Sequence, residues 1–207
     1  MFLNDLIERY PVLAVNRNEI AALIAALIDT YENGGKLIVA GNGGSASDAE
    51  HICGELLKGF CSKRKMSAED FAKLSAAGAQ KEDQLELLQY GLPALSLLSH
   101  PALNSAFGND VDPDLAFAQQ LWAQGKAGDT FLAISTGGNA SNLRKALITA
   151  RAMKIKTALL TGNRHGVCEK YADIVIAVPE KETFKIQELH LPVYHTLCLA
   201  VEAKFFE

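Results

Sequence analysis

"KLIVAGNGGSASDAEHICGELL", residues 36–57, passes from an apolar run through a glycine-rich turn into a helical pattern without a break. The run at 36–41 is continuously apolar after its lysine. Continuity of this kind marks a strand buried on both faces of a parallel sheet, whereas a half-exposed strand alternates. Four more runs read the same way: "ALSLLS" (94–99), "TFLAIS" (130–135), "KTALLTG" (156–162) and "ADIVIAVP" (172–179). Helical patterns separate them at about 46–58, 113–124, 141–153 and, briefly, 164–171. Strand alternating with helix predicts an α/β fold around a five-stranded parallel sheet flanked by helices. Two further helices bracket the sheet. Ile20, Leu23, Ile24, Leu27 and Ile28 repeat at helical spacing over 17–32, and "IQELHLPVYHTLCLAVEAKF" (186–205) closes the chain, with Pro192 expected to kink or loosen it.

A chain of 207 residues with 49% hydrophobic content is enough for one substantial core, so one domain over 1–207 is expected. Residues 61–92 break the alternation. They are polar, contain no strand signal and are long for a connection, so they read as an inserted helical excursion beginning near Ser67. The net charge of −4 and pI near 5.8 give no general attraction to nucleic acid. Cys53, Cys61, Cys168 and Cys198 form no C-x-x-C pair, which suits reduced thiols. The first twenty residues lack the layout of a signal peptide, and no apolar run approaches the roughly 20 residues that span a bilayer. A cytoplasmic protein without membrane or nucleic-acid partners is the expectation.

The turn "GNGGS" (41–45) follows a strand and opens a helix, so Asn42, Gly43, Gly44 and Ser45 can turn backbone N–H groups towards an anion. Ser45 reads as the helix N-cap, with Asp48 three residues on. No third glycine completes a dinucleotide fingerprint and no G-K-[ST] makes a P-loop, so a nucleotide-binding oxidoreductase is disfavoured. A second loop, "STGGNASN" (135–142), also follows a buried strand and opens a helix. It offers Ser135, Thr136, Gly138, Asn139 and Ser141. Two such loops at the carboxyl edge of one sheet suit a sugar phosphate.

His51 and Glu55 stand four apart and share a helix face, about 6 Å from each other. Imidazole and carboxylate at that spacing suit an acid–base pair, a divalent metal, or only a surface ion pair. The last helix adds Gln187, Glu188, His190, Tyr194 and His195 to an otherwise apolar stretch. On a straight helix Gln187 and His195 are about 12 Å apart. Meeting at one site would take a kink, or contributions from different subunits of an oligomer.

"GNGGSASDAEH", "AISTGGNASN", "LLTG" and "KIQELHLPVYH", in that order, resemble the sugar isomerase (SIS) domain family and, within it, the phosphoheptose isomerases. The resemblance spans nearly the whole chain apart from 61–92. It implies a SIS-type three-layer sandwich and a homotetramer with sites at subunit interfaces. It also implies conversion of sedoheptulose 7-phosphate to D-glycero-D-manno-heptose 7-phosphate through an enediol, with Glu55 as general base and His195 as general acid. Some members bind zinc, at positions matching His51, Glu55, Gln187 and His195, and Gln187 is also expected at the substrate. Non-catalytic relatives that lack the glutamate and histidine define the alternative, a phosphosugar-binding protein without turnover. An isomerase of another sugar phosphate is a second alternative. The chain departs from the family pattern at Gly59, where an arginine is usual, at His100 in place of an aspartate, and at Gly137 and Ala140 in place of serines.

Overall fold

Strand β1 (Leu37–Gly41) lies second in a five-stranded, wholly parallel sheet ordered β2-β1-β3-β4-β5 in the computed structural model, which describes residues 1–163 and 165–207. The other strands are β2 (Ala94–Ser96), β3 (Thr130–Ser135), β4 (Lys156–Gly162) and β5 (Ile174–Val178). Every residue of β1 and β3 is buried, the physical counterpart of their continuous apolar runs. Successive side chains serve opposite layers. Leu37, Val39, Leu132, Ile134, Ala158 and Leu160 enter one core cluster, while Ile38, Ala40, Phe131, Ala133 and Leu159 enter the other.

The first cluster is closed by α1 (Phe2–Arg9), α2 (Arg17–Glu32), α3 (Gly44–Leu57) and α8 (Thr183–Phe206), and the second by α6 (Ala116–Gln124) and α7 (Ser141–Ala152). The excursion carries α4 (Ala68–Ala76), and α5 (Pro101–Asp110) precedes α6. This is the three-layer α/β arrangement read from the sequence.

Several boundaries differ from that reading. The run at 94–99 gives only a three-residue strand, after which the chain turns, with Ser99 N–H on the Ser96 carbonyl. The pattern at 113–124 divides because the Asp112 side chain accepts the Asp114 N–H and caps a separate 3₁₀ turn, Pro113–Leu115, ahead of α6. Near 164–171 the element is a 3₁₀ helix, Val167–Tyr171, and Arg164 falls outside the described residues. Residues 11–32, contrary to the expectation from sequence, form a helical stretch long and apolar enough by length and composition to cross a membrane. Leu13, Ile20, Leu23 and Leu27 of that stretch are packed into the core.

Pro192 does not interrupt α8, which runs through it for 24 residues. The missing N–H leaves only the carbonyl of the exposed Glu188 without its usual partner. Residues 61–92 hold α4 and two 3₁₀ turns, Lys81–Asp83 and Leu85–Leu87. The Ser67 hydroxyl caps α4 by accepting the Asp70 N–H, and α4 buries none of its residues. Its neck is tied to the end of α3: Leu92 N–H donates to the Leu56 carbonyl at 2.8 Å, and Gly59 N–H to Gln89 Oε1 at 2.8 Å.

Candidate active site

The direction of winding reverses between β1 and β3, since β2 lies on the other side of β1. The carboxyl ends of β1 and β3 therefore border the crevice where open α/β sheets take ligands, and both glycine-rich loops rim it. In the first, the cap of α3 is Gly43, not Ser45 as the sequence suggested. Gly43 has φ +55° and ψ −123°, a conformation a side chain would strain, and Ser45 is buried inside the first turn. Asn42, Gly43 and Gly44 are exposed at the rim.

In the second loop Ser135 and Gly138 are buried and Thr136 and Ser141 half-buried. Asn139 is committed to the loop itself: its amide donates to the Gly137 carbonyl at 2.8 Å and its oxygen accepts the Val167 N–H at 3.0 Å. The loops meet through a residue the sequence reading passed over. Asn42 Nδ2 donates to Asn142 Oδ1 at 3.0 Å, and Asn142 Nδ2 returns a bond to Asn42 Oδ1 at 2.9 Å.

Helices α3 and α8 pack side by side in parallel. Their cross-links join residues a nearly constant distance apart in sequence, 143 for His51 with Tyr194 and 146 for Asp48 with Tyr194. This register sets the functional groups along the pair. At the loop end, the Gln187 amide fills the space above Gly44, where a Cβ would lie 2.3 Å from Gln187 Nε2. Two turns further on, His51 Nε2 stands 3.2 Å from Glu55 Oε1, and Lys58 Nζ reaches Glu55 Oε2 at 2.9 Å. The His195 ring packs edge-on to His51, centroids 5.1 Å apart. His195 Nε2 is buried without a hydrogen-bond partner in a ring that also lines a cleft of about 220 Å³ with Arg9, Tyr10 and Phe60. Burial, with His51 adding to it, pushes the His195 imidazole below its ordinary pKa.

Tyr194 and Asp48, neither given a role by sequence, complete the cluster. The Tyr194 hydroxyl lies 3.0 Å from His51 Nδ1 and donates to Asp48 Oδ1 at 3.3 Å. Burial raises the pKa of Tyr194 and of Asp48 alike. In the sequence Asp48 stood out only as the residue three after Ser45; its place three residues before His51, on the same helix face, is the signal that could have found it.

Of the four zinc ligands the resemblance implies, His51, Glu55 and His195 gather, while Gln187 sits about 10 Å away along α3, beside Gly44. Among the described residues no three His, Cys, Asp or Glu side chains are grouped to hold an ion. The four do not fit one metal within a single chain.

The five-stranded parallel sheet, with two glycine-rich loops at its switch crevice and no nucleotide fingerprint, is that of SIS-type α/β proteins. The sequence profile described as SIS domain matches residues 2–91. A phosphoheptose isomerase from Aneurinibacillus thermoaerophilus is 38% identical over 86% of this chain and 78% of its own length. Another, from Pelobacter propionicus, is 34% identical over 90% of this chain and 85% of its own. The solved phosphoheptose isomerase of Francisella tularensis superimposes with a TM-score of 0.76 at 27% identity, covering 97% of this chain and 94% of that one. The chain belongs to the phosphoheptose isomerase family of SIS-domain proteins and is a sugar-phosphate isomerase.

Proposed function

We propose that the chain interconverts a ketose and an aldose phosphate, with sedoheptulose 7-phosphate and D-glycero-D-manno-heptose 7-phosphate as the pair. The observation that carries the reading is the meeting of His51, Glu55 and His195 on α3 and α8, about two turns along α3 from the first loop. Asn42, Gly43, Gly44, Ser45 and the second loop's Ser135, Thr136, Gly138, Asn139 and Ser141 are assigned to the phosphate end of the sugar, with Gln187 beside them.

In this reading the Glu55 carboxylate takes the proton from the carbon next to the carbonyl, and the His195 imidazole gives one to the carbonyl oxygen. The resulting enediol collapses in the other sense when Glu55 returns its proton to the neighbouring carbon and His195 recovers one from the neighbouring hydroxyl. Atoms and charge balance within the pair, and each transfer is general acid–base catalysis of the kind such groups perform. Side-chain exposure of only 15% keeps Glu55 partly dry while leaving it reachable.

The working form is proposed as a cytoplasmic homotetramer of one SIS domain per chain, with sites at subunit interfaces. The separation of Gln187 from His195 within one chain supports shared sites, and the four free cysteines support a reducing compartment. An active monomer in ultracentrifugation would end that part of the reading.

NMR of the protein with sedoheptulose 7-phosphate in D₂O, beside a Glu55→Gln variant, tests the chemistry. Aldose signals with deuterium at the transferred position, lost in the variant, are expected. Binding without exchange in the wild type would instead favour a phosphosugar-binding role.

A further inference from the structure

Helix α3 ends at Leu57, and Lys58 leaves it in an extended conformation, φ −136° and ψ 175°. Its side chain turns back over the last turn, where Nζ donates to Glu55 Oε2 at 2.9 Å and to the Gly59 carbonyl at 3.2 Å. The lysine is 59% exposed, the glutamate 15%. A carboxylate offers about four lone-pair sites, so a bond to Lys58 on one oxygen leaves room to take a proton from substrate.

The path that aims Lys58 is set from outside the helix. Gly59 N–H is held by Gln89 Oε1 at 2.8 Å and Phe60 N–H by Glu202 Oε1 at 2.7 Å, so the excursion and α8 pin the two residues after the lysine. Gly59 has no room for a side chain, since a Cβ there would lie 2.2 Å from the Ser62 carbonyl oxygen. The arginine usual in the family at this position is thereby excluded, and the cation on the Glu55 carboxylate is Lys58.

We propose that Lys58 is a positioning residue of the isomerase: its ammonium holds Glu55 Oε2 and so fixes the direction in which the base meets the substrate carbon. The proposal rests on the assignment of Glu55 as the base. An ion pair this exposed contributes little to folding. A base displaced by about 1 Å, in contrast, can lose roughly a hundredfold in rate.

The test uses the full-length protein with sedoheptulose 7-phosphate. Lys58→Ala should lower kcat roughly tenfold or more and leave KM within about twofold, with an unchanged midpoint in urea. Methylammonium in the buffer supplies a donor of the lost kind and should restore much of the kcat. Tetramethylammonium carries the charge but has no hydrogen to donate, and should restore none. Lys58→Arg, which keeps a donor, should recover most of the turnover. In crystals of Lys58→Ala the Glu55 carboxylate should take a different rotamer or a mixture.

An unmoved carboxylate in those crystals would overturn the proposal, whatever the kinetics. So would wild-type kcat in Lys58→Ala, or a rise in KM with kcat kept, which would make the lysine a substrate ligand. Equal rescue by the two cations would reduce Lys58 to a charge without a bond and overturn it too, as would a loss that neither methylammonium nor Lys58→Arg relieves. Full turnover by Glu55→Gln would instead remove the base assignment, and the Glu55 rotamer would still report whether Lys58 holds the carboxylate.

Discussion

The Arg64 guanidinium and the Glu202 carboxylate meet at 2.8 Å with both side chains withdrawn from solvent, 0% and 1% exposed. Around them the neck of the excursion is bound to the two site helices. Glu202 on α8 accepts the N–H groups of Phe60, Cys61 and Ser62, while Arg64 donates to the carbonyls of Leu56 and Glu55 at the end of α3. Burial alone would raise the Glu202 pKa, but the three N–H groups and Arg64 outweigh it and hold the carboxyl below its usual value. Removing one member of such a pair leaves the other charge buried. Glu202→Ala is expected to cost about 3–5 kcal/mol in urea unfolding, and Glu202→Gln, which keeps an acceptor, clearly less. Because the folded value is depressed, the pair's contribution is complete above the unfolded pKa of 4.5 and is lost as pH falls below it. An equal loss in both variants would show that the charge on Glu202 does nothing beyond its shape.

This clamp also marks the limit of what the sequence discloses. β1, β3 and β4 were legible because burial on both faces writes an uninterrupted apolar run. The helix α5 was not, because none of its residues is buried and no stripe forms. His51 and Glu55 stood out through their spacing of four, a local relation. The meetings of Tyr194 with His51, of Asn42 with Asn142 and of Arg64 with Glu202 join residues 143, 100 and 138 positions apart, set by how helices and loops pack, and no local pattern encodes them.

Gly44→Ala tests the role of Gln187 without disturbing the core. The new methyl would lie 2.3 Å from Gln187 Nε2, the far end of a flexible side chain that can swing away. Folding stability should change by less than about 1 kcal/mol. The displaced amide and crowded loop should raise KM for the sugar phosphate roughly five- to tenfold, one hydrogen bond's worth, with kcat less affected. Steady-state kinetics beside thermal unfolding separate the two effects, and an unchanged KM would remove Gln187 from the binding site.

The reciprocal amide pair of Asn42 and Asn142 should behave as one unit. Asn42→Ala and Asn142→Ala are each expected to weaken inorganic phosphate binding, and the double variant should lose little beyond either single one. Calorimetric titration of the three variants gives the coupling directly, expected near 1 kcal/mol. Additive losses would mean that the asparagines act separately, each through its own contact with ligand and not by holding the loops together.

His190 supplies a pH dependence of folding that is separate from the acid–base cluster. Its ring is fully buried on α8, and the Thr161 backbone offsets only part of the cost of charging it. Burial disfavours the charged form and pushes its pKa down to about 4 from 6.5. The unfolded chain therefore binds a proton that the folded chain refuses. Stability is complete above pH 6.5 and falls as pH drops from 6.5 to about 4, by roughly 3 kcal/mol in all. A His190→Gln variant keeps a side chain of similar reach but does not titrate. Its urea-unfolding free energy should be lower than the wild type's at pH 8 and should lose this part of the slope between pH 6.5 and 4. The slope attributed to Glu202, which lies lower, should persist. Parallel pH profiles for the two proteins would show that His190 is already protonated in the fold and that the acid sensitivity arises elsewhere.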